Sequence, residues 1–188
     1  GSAKAIWINA MTAKKYGGLV VALTLDEKGI PETAEGRVSI AKRIIAEAEK
    51  YGIATVLENY RDVLKIQGLD AVDICTPNYL HSVIAVEALN AGLHVFCEKP
   101  DAVSVSEAER MKEAAQRSGK VLMVMRNNRY MPVSKFLKKY VEQGNMGRIY
   151  AARCGWQRRR GIPGKGGWFT TKEQSGGGPL IDLGVHMI

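Results

Sequence analysis

Residues 69–100 read LDAVDICTPNYLHSVIAVEALNAGLHVFCEKP, from Leu69 to Pro100. The spacing predicts strand, helix, strand. Ala71–Cys75 is a short apolar, β-branched run broken by Thr76-Pro77-Asn78, the pattern of a strand covered on both faces. Ser82–Asn90 sets Val83, Val86 and Leu89, with Ala85 and Ala88 beside them, on one helical face, and Gly92 stands where a left-handed C-cap belongs. His94–Cys97 is the next strand, with Glu98-Lys99-Pro100 at its carboxyl end. Parallel strands would gather Thr76, Asn78, His81, Glu98 and Lys99 at one edge of the sheet, where open α/β sheets bind ligands. The same residues read equally well as two polar loops facing water.

Alternating strand and helix signals extend to both sides. Ala5–Asn9 (AIWIN) reads as a first strand, but it runs into Ala10-Met11-Thr12-Ala13-Lys14 instead of G-x-G-x-x-G. Only glycine lets a backbone approach a pyrophosphate at a helix start, so dinucleotide binding is expected to be weak or lost. The helix this allows, Thr12 to Tyr16, is too short for a βαβ crossover. Leu19–Leu25 is a second strand, followed by Asp26, near where a dinucleotide fold keeps an acid for the ribose hydroxyls. A helix from Thr33 to Tyr51 carries the stripe Val38, Ala41, Ile44, Ile45 and Ala48, and Gly52 ends it.

Beyond Thr55–Leu57, another short strand, Asn59 can cap a helix Tyr60–Lys65. After Pro100, Ser104-x-x-Glu107 is a capping box opening a helix through Ala108, Met111, Ala115 and Gly119. Val121–Met125 is the next strand. A helix with Phe136, Leu137, Tyr140 and Val141 follows, then a strand Ile149–Gly155 and a Gly/Arg-rich loop, Arg158–Gly167. Gly176-Gly177-Gly178 leads into a last helix, in which Asp182 and His186 are four apart and share a face.

With 188 residues the chain can bury a core of its own, and one domain over 1–188 is expected. No apolar run has membrane-spanning length, no signal peptide is evident, and the opening Gly-Ser reads as a cloning scar. A cytoplasmic location without a membrane partner is expected. The three cysteines are too few for a disulfide framework; Cys75, Cys97 and Cys154 each fall in a predicted strand and read as buried, inert thiols. No Cys/His grouping has zinc-ligand spacing, so no metal is expected. The net charge of +8 comes from 27 basic and 19 acidic residues. Much of the excess lies in Arg148, Arg153, Arg158, Arg159, Arg160, Lys165 and Lys172, with no acid between them. Aromatics are not interleaved there as a stacking platform needs, which argues against nucleic acid and leaves attraction of an anionic cofactor or a loop that has lost its acidic partner surface.

CTPNYLH, AGLHVFCEKP, NNRYMP and SGGGPLIDLGVHMI, in that order, resemble the glucose–fructose oxidoreductase / myo-inositol dehydrogenase family over about Ile53 to Ile188. The resemblance implies a nicotinamide cofactor, NAD or NADP, and a sugar or cyclitol substrate. It implies that Lys99 contacts the nicotinamide ribose and the reacting hydroxyl, with Asp182 and His186 across from it and His186 as general base. It also places Thr76, Pro77, Asn78, His81, Glu98, Arg129 and Trp168 on the cofactor side, His81 as a structural member of its loop. Lys99 itself reads as an exposed side chain whose removal changes stability little. Members of that family continue into a substrate-holding sheet domain, so the substrate wall is expected to be missing here.

The front of the chain resembles a different family. AKAIWINAMT and KKYGGLVVALTLDEKGIPETAEGRVSIAKRIIAEAEKYGI, about Ala3 to Ile53, look like the pterin-binding methyltetrahydrofolate methyltransferases, which are TIM barrels. Asn9 and Asp26 would then face a pterin. The combined expectation is an engineered chimera: a three-layer, Rossmann-like, doubly wound, mainly parallel sheet, with a TIM-barrel-derived βα segment (3–53) joined to an oxidoreductase-like segment (54–188) and without full activity. The alternative is a working NAD(P)-dependent oxidoreductase acting on a sugar or cyclitol.

Overall fold

In the computed structural model, residues 55–155 and 167–187 are described, together with Gln157, Arg159 and parts of 21–23 and 42–53. The expected strand Ala5–Asn9, the stretch Ala10–Lys14, Asp26, the expected helix start at Thr33 and most of the Gly/Arg-rich loop lie outside them.

The βαβ unit read from residues 69–100 is present. Strands β3 (Ala71–Ile74), β4 (His94–Cys97) and β5 (Leu122–Val124) form a parallel sheet in that order. Ala71 is level with His94, and Val95 with Leu122. A second parallel pair joins β1 (Val21–Leu23) to β2 (Thr55–Leu57), with Val21 level with Thr55. Of the strand expected over Leu19–Leu25, Val21–Leu23 is described, and it pairs in parallel with β2 rather than within one continuous sheet. Among the described residues, its sheet shares no strand pairing with β3-β4-β5.

Helices α1 (Tyr60–Val63), α2 (Asn78–Asn90) and α3 (Val105–Ser118) connect these strands. Because β3, β4 and β5 advance in one direction, right-handed crossovers bring α2 and α3 to the same face, where they pack on each other. The caps explain where the helices begin and end. Asn59 Oδ1 accepts from the Arg61 N–H at 2.9 Å, and Ser104 Oγ accepts from the Glu107 N–H at 3.3 Å. At the end of α2, the Gly92 N–H donates to Leu89 O and the Leu93 N–H to Ala88 O, both at 3.0 Å, a Schellman closure with Gly92 at φ +83.

The core lies between this sheet and its helices: Ile74, Leu80, Ile84, Ala85, Leu89, Val95, Cys97, Met111 and Ala114. Each large apolar side chain buried there stabilises the fold by roughly 1.5–3 kcal/mol. Helix α2 starts at Asn78, four residues before the expected Ser82, because Pro77 already holds the extended N-cap conformation (φ −61, ψ 152). Its buried face matches the expectation only in part. Ala85, Ala88 and Leu89 are buried as expected, but Val83 is exposed and Leu80 and Ile84 are buried as well. A helix apolar nearly all round carries little phase information, and packing against both sheet and α3 decides which side faces in.

Four further expectations are corrected. Ile149–Gly155 is not a strand; the segment is exposed and pairs with no described strand. Cys154 is accordingly exposed, whereas Cys97 is buried and Cys75 partly so. Ile45, placed in an apolar stripe, is exposed, while Ala48 in the same stripe is fully buried. The last helix is not continuous: α6 (Pro179–Asp182) stops and a separate 3-10 turn, Gly184–His186, follows. At Gly184 a Cβ would come within 2.8 Å of the Leu180 side chain, so the chain turns tightly onto its own preceding turn there. Between these parts lie α4 (Pro132–Glu142) and α5 (Lys172–Ser175).

Candidate active site

The carboxyl ends of β3, β4 and β5 present Cys75–Asn78, Glu98–Asp101 and Met125–Arg126. Two distant segments are drawn to that edge. The Asn78 side chain, buried in the first turn of α2, donates from Nδ2 to Ser175 O at 2.8 Å, which fastens α5 to α2. Gly176 then turns the chain with φ +86, its Cα so close to Val103 that a Cβ would lie 2.9 Å from the Val103 Cα. This close approach brings Pro179–His186 over the end of β4.

There Lys99 meets Asp182. The ammonium donates to the Asp182 carboxylate and, at 3.0 Å, to the Asp182 carbonyl oxygen. The two side chains are only 20% and 22% exposed, so the pair is largely withdrawn from water. The Lys99–Pro100 bond is cis, and the Lys99 N–H donates to Glu98 Oε2 at 3.2 Å. Sequence reading took Lys99 as an exposed side chain; the fold gives it a partner 83 residues away.

His186 sits beside this pair. Its Nδ1 is buried and has no hydrogen-bond partner among the described residues. Burial holds its pKa below the ordinary histidine value; the Lys99 and Arg126 charges push the same way, and Asp182 and Glu98 oppose them. A neutral imidazole with a free, buried nitrogen can accept a proton from a hydroxyl brought to it.

Other expected site residues have different surroundings. His81 is fully buried, its ring nitrogens 2.6 Å from Pro100 O and 2.8 Å from Thr76 O, so it joins two loops from inside rather than lining the surface. Thr76 and Glu98 are partly exposed at the edge, and Pro77 is buried at the start of α2. Arg129 is exposed on the 3-10 turn Asn127–Tyr130, which contacts the Gly184–His186 turn. Trp168 stands edge-on to Phe169 at 5.3 Å in the turn Trp168–Thr170, which packs on α5.

Two residues were missed. Arg126 Nη2 donates to Asp101 Oδ1 at 2.6 Å, bracing the turn after Pro100 against the end of β5. A basic residue ending one strand and an acid following the turn of its neighbour could have signalled it. Ser175 was also passed over, because it acts through its backbone carbonyl, which sequence does not distinguish.

Burial, and after it nearby carboxylates, raise the thiol pKa values of Cys75 and Cys97 far above the usual range, so both stay protonated and unreactive. No group of three or more His, Cys, Asp or Glu among the described residues is arranged to hold a metal. No described helix is long and apolar enough to cross a membrane.

The oxidoreductase family with an NAD-binding Rossmann fold, GFO/IDH/MocA, matches residues 32–126, half of the chain. The chain belongs to this family. The C-terminal domain of GFO/IDH/MocA proteins matches residues 135–188. Among curated relatives, the D-glucoside 3-dehydrogenase of Escherichia coli K12 is 38% identical over 88% of this chain and 46% of its own length. The levoglucosan dehydrogenase of Pseudarthrobacter phenanthrenivorans is 33% identical over 78% of this chain and 40% of its own. A solved levoglucosan dehydrogenase in complex with NADH and levoglucosan superposes with TM-score 0.71, at 28% identity, over 100% of this chain and 49% of that one. The chain thus spans about half the length, or less, of these relatives.

The family match corrects the reading of residues 32–53. It begins at residue 32 and runs through the seam expected near Ile53 without a break. An oxidoreductase of Rhizobium meliloti, ORF334, is 32% identical over 95% of this chain. Nothing supports a methyltransferase-derived or TIM-barrel segment, or a chimeric origin.

Proposed function

We propose that this chain belongs to a nicotinamide-dependent oxidoreductase acting on a hydroxyl of a sugar or cyclitol, with Lys99, Asp182 and His186 at the reacting centre. The carrying observation is the convergence of Lys99 on Asp182, with His186 adjacent, at the carboxyl end of β4. The names of the relatives, dehydrogenases of glucosides, levoglucosan and inositols, support the substrate class.

The residues present fit a nicotinamide at this edge. The parallel sheet ends in polar residues, the Lys99 ammonium stands there, and the buried His186 Nδ1 has no hydrogen-bond partner among the described residues. Thr76, Glu98 and Lys99 would hold the nicotinamide ribose. Arg129 and Trp168 would border it, and Asp26 would serve the other ribose. Bound there, the nicotinamide supplies the hydride acceptor or donor. His186, neutral near pH 7, takes the hydroxyl proton as the substrate is oxidised. The Lys99 ammonium steadies the developing alkoxide, and Asp182 holds that ammonium in place. The expectation of weak cofactor binding rests on Ala10–Lys14, where the glycine fingerprint is replaced.

Titration of the chain with NADH and with NADPH, followed by calorimetry and nicotinamide fluorescence, tests the reading. Saturable binding that is weakened by Lys99→Met supports it. Absence of binding to either cofactor at millimolar concentration refutes it for this chain.

A further inference from the structure

His81 is completely buried, yet both of its ring nitrogens lie against oxygen atoms that can only accept. Nδ1 is 2.6 Å from Pro100 O, and Nε2 is 2.8 Å from Thr76 O. A neutral imidazole has one N–H and one bare lone pair. Either tautomer would therefore press a nitrogen lone pair against a carbonyl lone pair at one of these two distances, inside the protein, where no water can intervene. A ring protonated on both nitrogens donates twice and leaves no polar atom unsatisfied. The short separations are those of charge-assisted bonds, and a buried charge is tolerated when it is hydrogen-bonded and has opposite charge near it. The carboxylates Glu98 and Asp101 flank Pro100 in the chain on either side of the bonded turn.

The two carbonyls belong to different strand ends. Thr76 follows β3 and Pro100 follows β4, and Lys99 immediately precedes the bonded residue. His81 comes from the first turn of α2, between them. We propose that His81 is a positioning residue: carrying a proton on both ring nitrogens, it clamps the Thr76 loop to the Lys99–Pro100 turn and so sets where the Lys99 ammonium stands in the nicotinamide site. This rests on the proposed function only for what the clamp serves; the protonation of the ring stands on the geometry alone.

Nitrogen-15 NMR of the histidine-labelled, unaltered chain at pH 7 reads the ring directly. Two protonated ring nitrogens, protected from exchange, are expected for His81; one nitrogen without a proton overturns the proposal, and this measurement needs neither a cofactor nor a variant. His81→Gln retains donor capacity toward one carbonyl at most. It should move the Lys99 ammonium signal while the Leu89 and Met111 methyl signals stay in place, and weaken NADH binding about tenfold or more, the size of one charge-assisted hydrogen bond. An unmoved Lys99 signal with unchanged NADH affinity would overturn the clamp. If the unaltered chain binds no NADH, the proposed function falls, while the proton count and the Lys99 signal still decide the role of His81.

Discussion

Replacing Lys99 with methionine keeps the apolar stem and removes the ammonium from Asp182. Two bonds are lost, one to the Asp182 carboxylate and one of 3.0 Å to its carbonyl oxygen. Both are donated by a charged group, and such a bond contributes about 1.5–3 kcal/mol. Against them stands the rotamer freedom that an ordered Lys regains, up to about 2 kcal/mol. At 20% and 22% exposure the pair lies between the surface limit of about 0–1 kcal/mol and the buried limit of about 3–5 kcal/mol for stranding one partner. The expected loss is roughly 1–2 kcal/mol, a fall of about 2–8 °C in Tm for a chain of this size. Urea unfolding of Lys99→Met, Asp182→Asn and the double variant isolates the pair. A coupling of about 1 kcal/mol is expected. Additivity within about 0.3 kcal/mol would show that the contact contributes nothing, and the placement of Asp182 over β4 would have to be attributed to Gly176 and Asn78 alone.

His186 and Gly176 give two further tests. Because the folded pKa of His186 lies below its ordinary value of about 6.5, its contribution to stability is present above that value and is lost as pH falls through the folded one. In an NMR titration, Lys99→Met should raise the His186 pKa and Asp182→Asn should lower it, since the two charges act on it in opposite directions; shifts of the same sign would refute this electrostatic account. Gly176→Ala combines a left-handed backbone with a Cβ 2.9 Å from the Val103 Cα, and should cost about 2–4 kcal/mol. Gly68→Ala, with φ +79 and open space around it, should cost only about 1–2 kcal/mol in the same urea assay; equal costs would mean that the contact with Val103 yields freely.

The strands and caps of residues 55–125 were legible because each rests on local chemistry. Asn59 and Ser104 cap through their own side chains, Gly92 and Gly119 take positive φ, and β-branched runs between turn residues make strands. The phase of α2 was not legible, because apolar residues surround it and only its neighbours decide that Ile84 faces in and Val83 faces out. Ile149–Gly155 failed for the opposite reason: a strand needs a partner edge, and its own composition cannot supply one.

The site divides along the same line. Lys99, Asp182 and His186 were proposed from motifs, since ammonium, carboxylate and imidazole carry their chemistry with them. How they are held could not. Lys99 was taken as exposed although Glu98 and Asp101 stand beside it in the chain, because spacing does not say which carboxylate an ammonium meets; it meets Asp182, 83 positions on. The holding is done by backbone carbonyls of Thr76, Pro100 and Ser175 and by one close glycine, Gly176, features common to many residue types and so without a sequence signature. The seam expected near Ile53 came from the resemblance of residues 3–53 to a second family, and the oxidoreductase match that begins at residue 32 crosses it. An absent glycine fingerprint over Ala10–Lys14 removes a sign of cofactor binding, but β1 and β2 pair in parallel through their backbones whatever loop precedes them. Departure in one loop is therefore evidence about that loop, and carries little about the origin of the strands on either side.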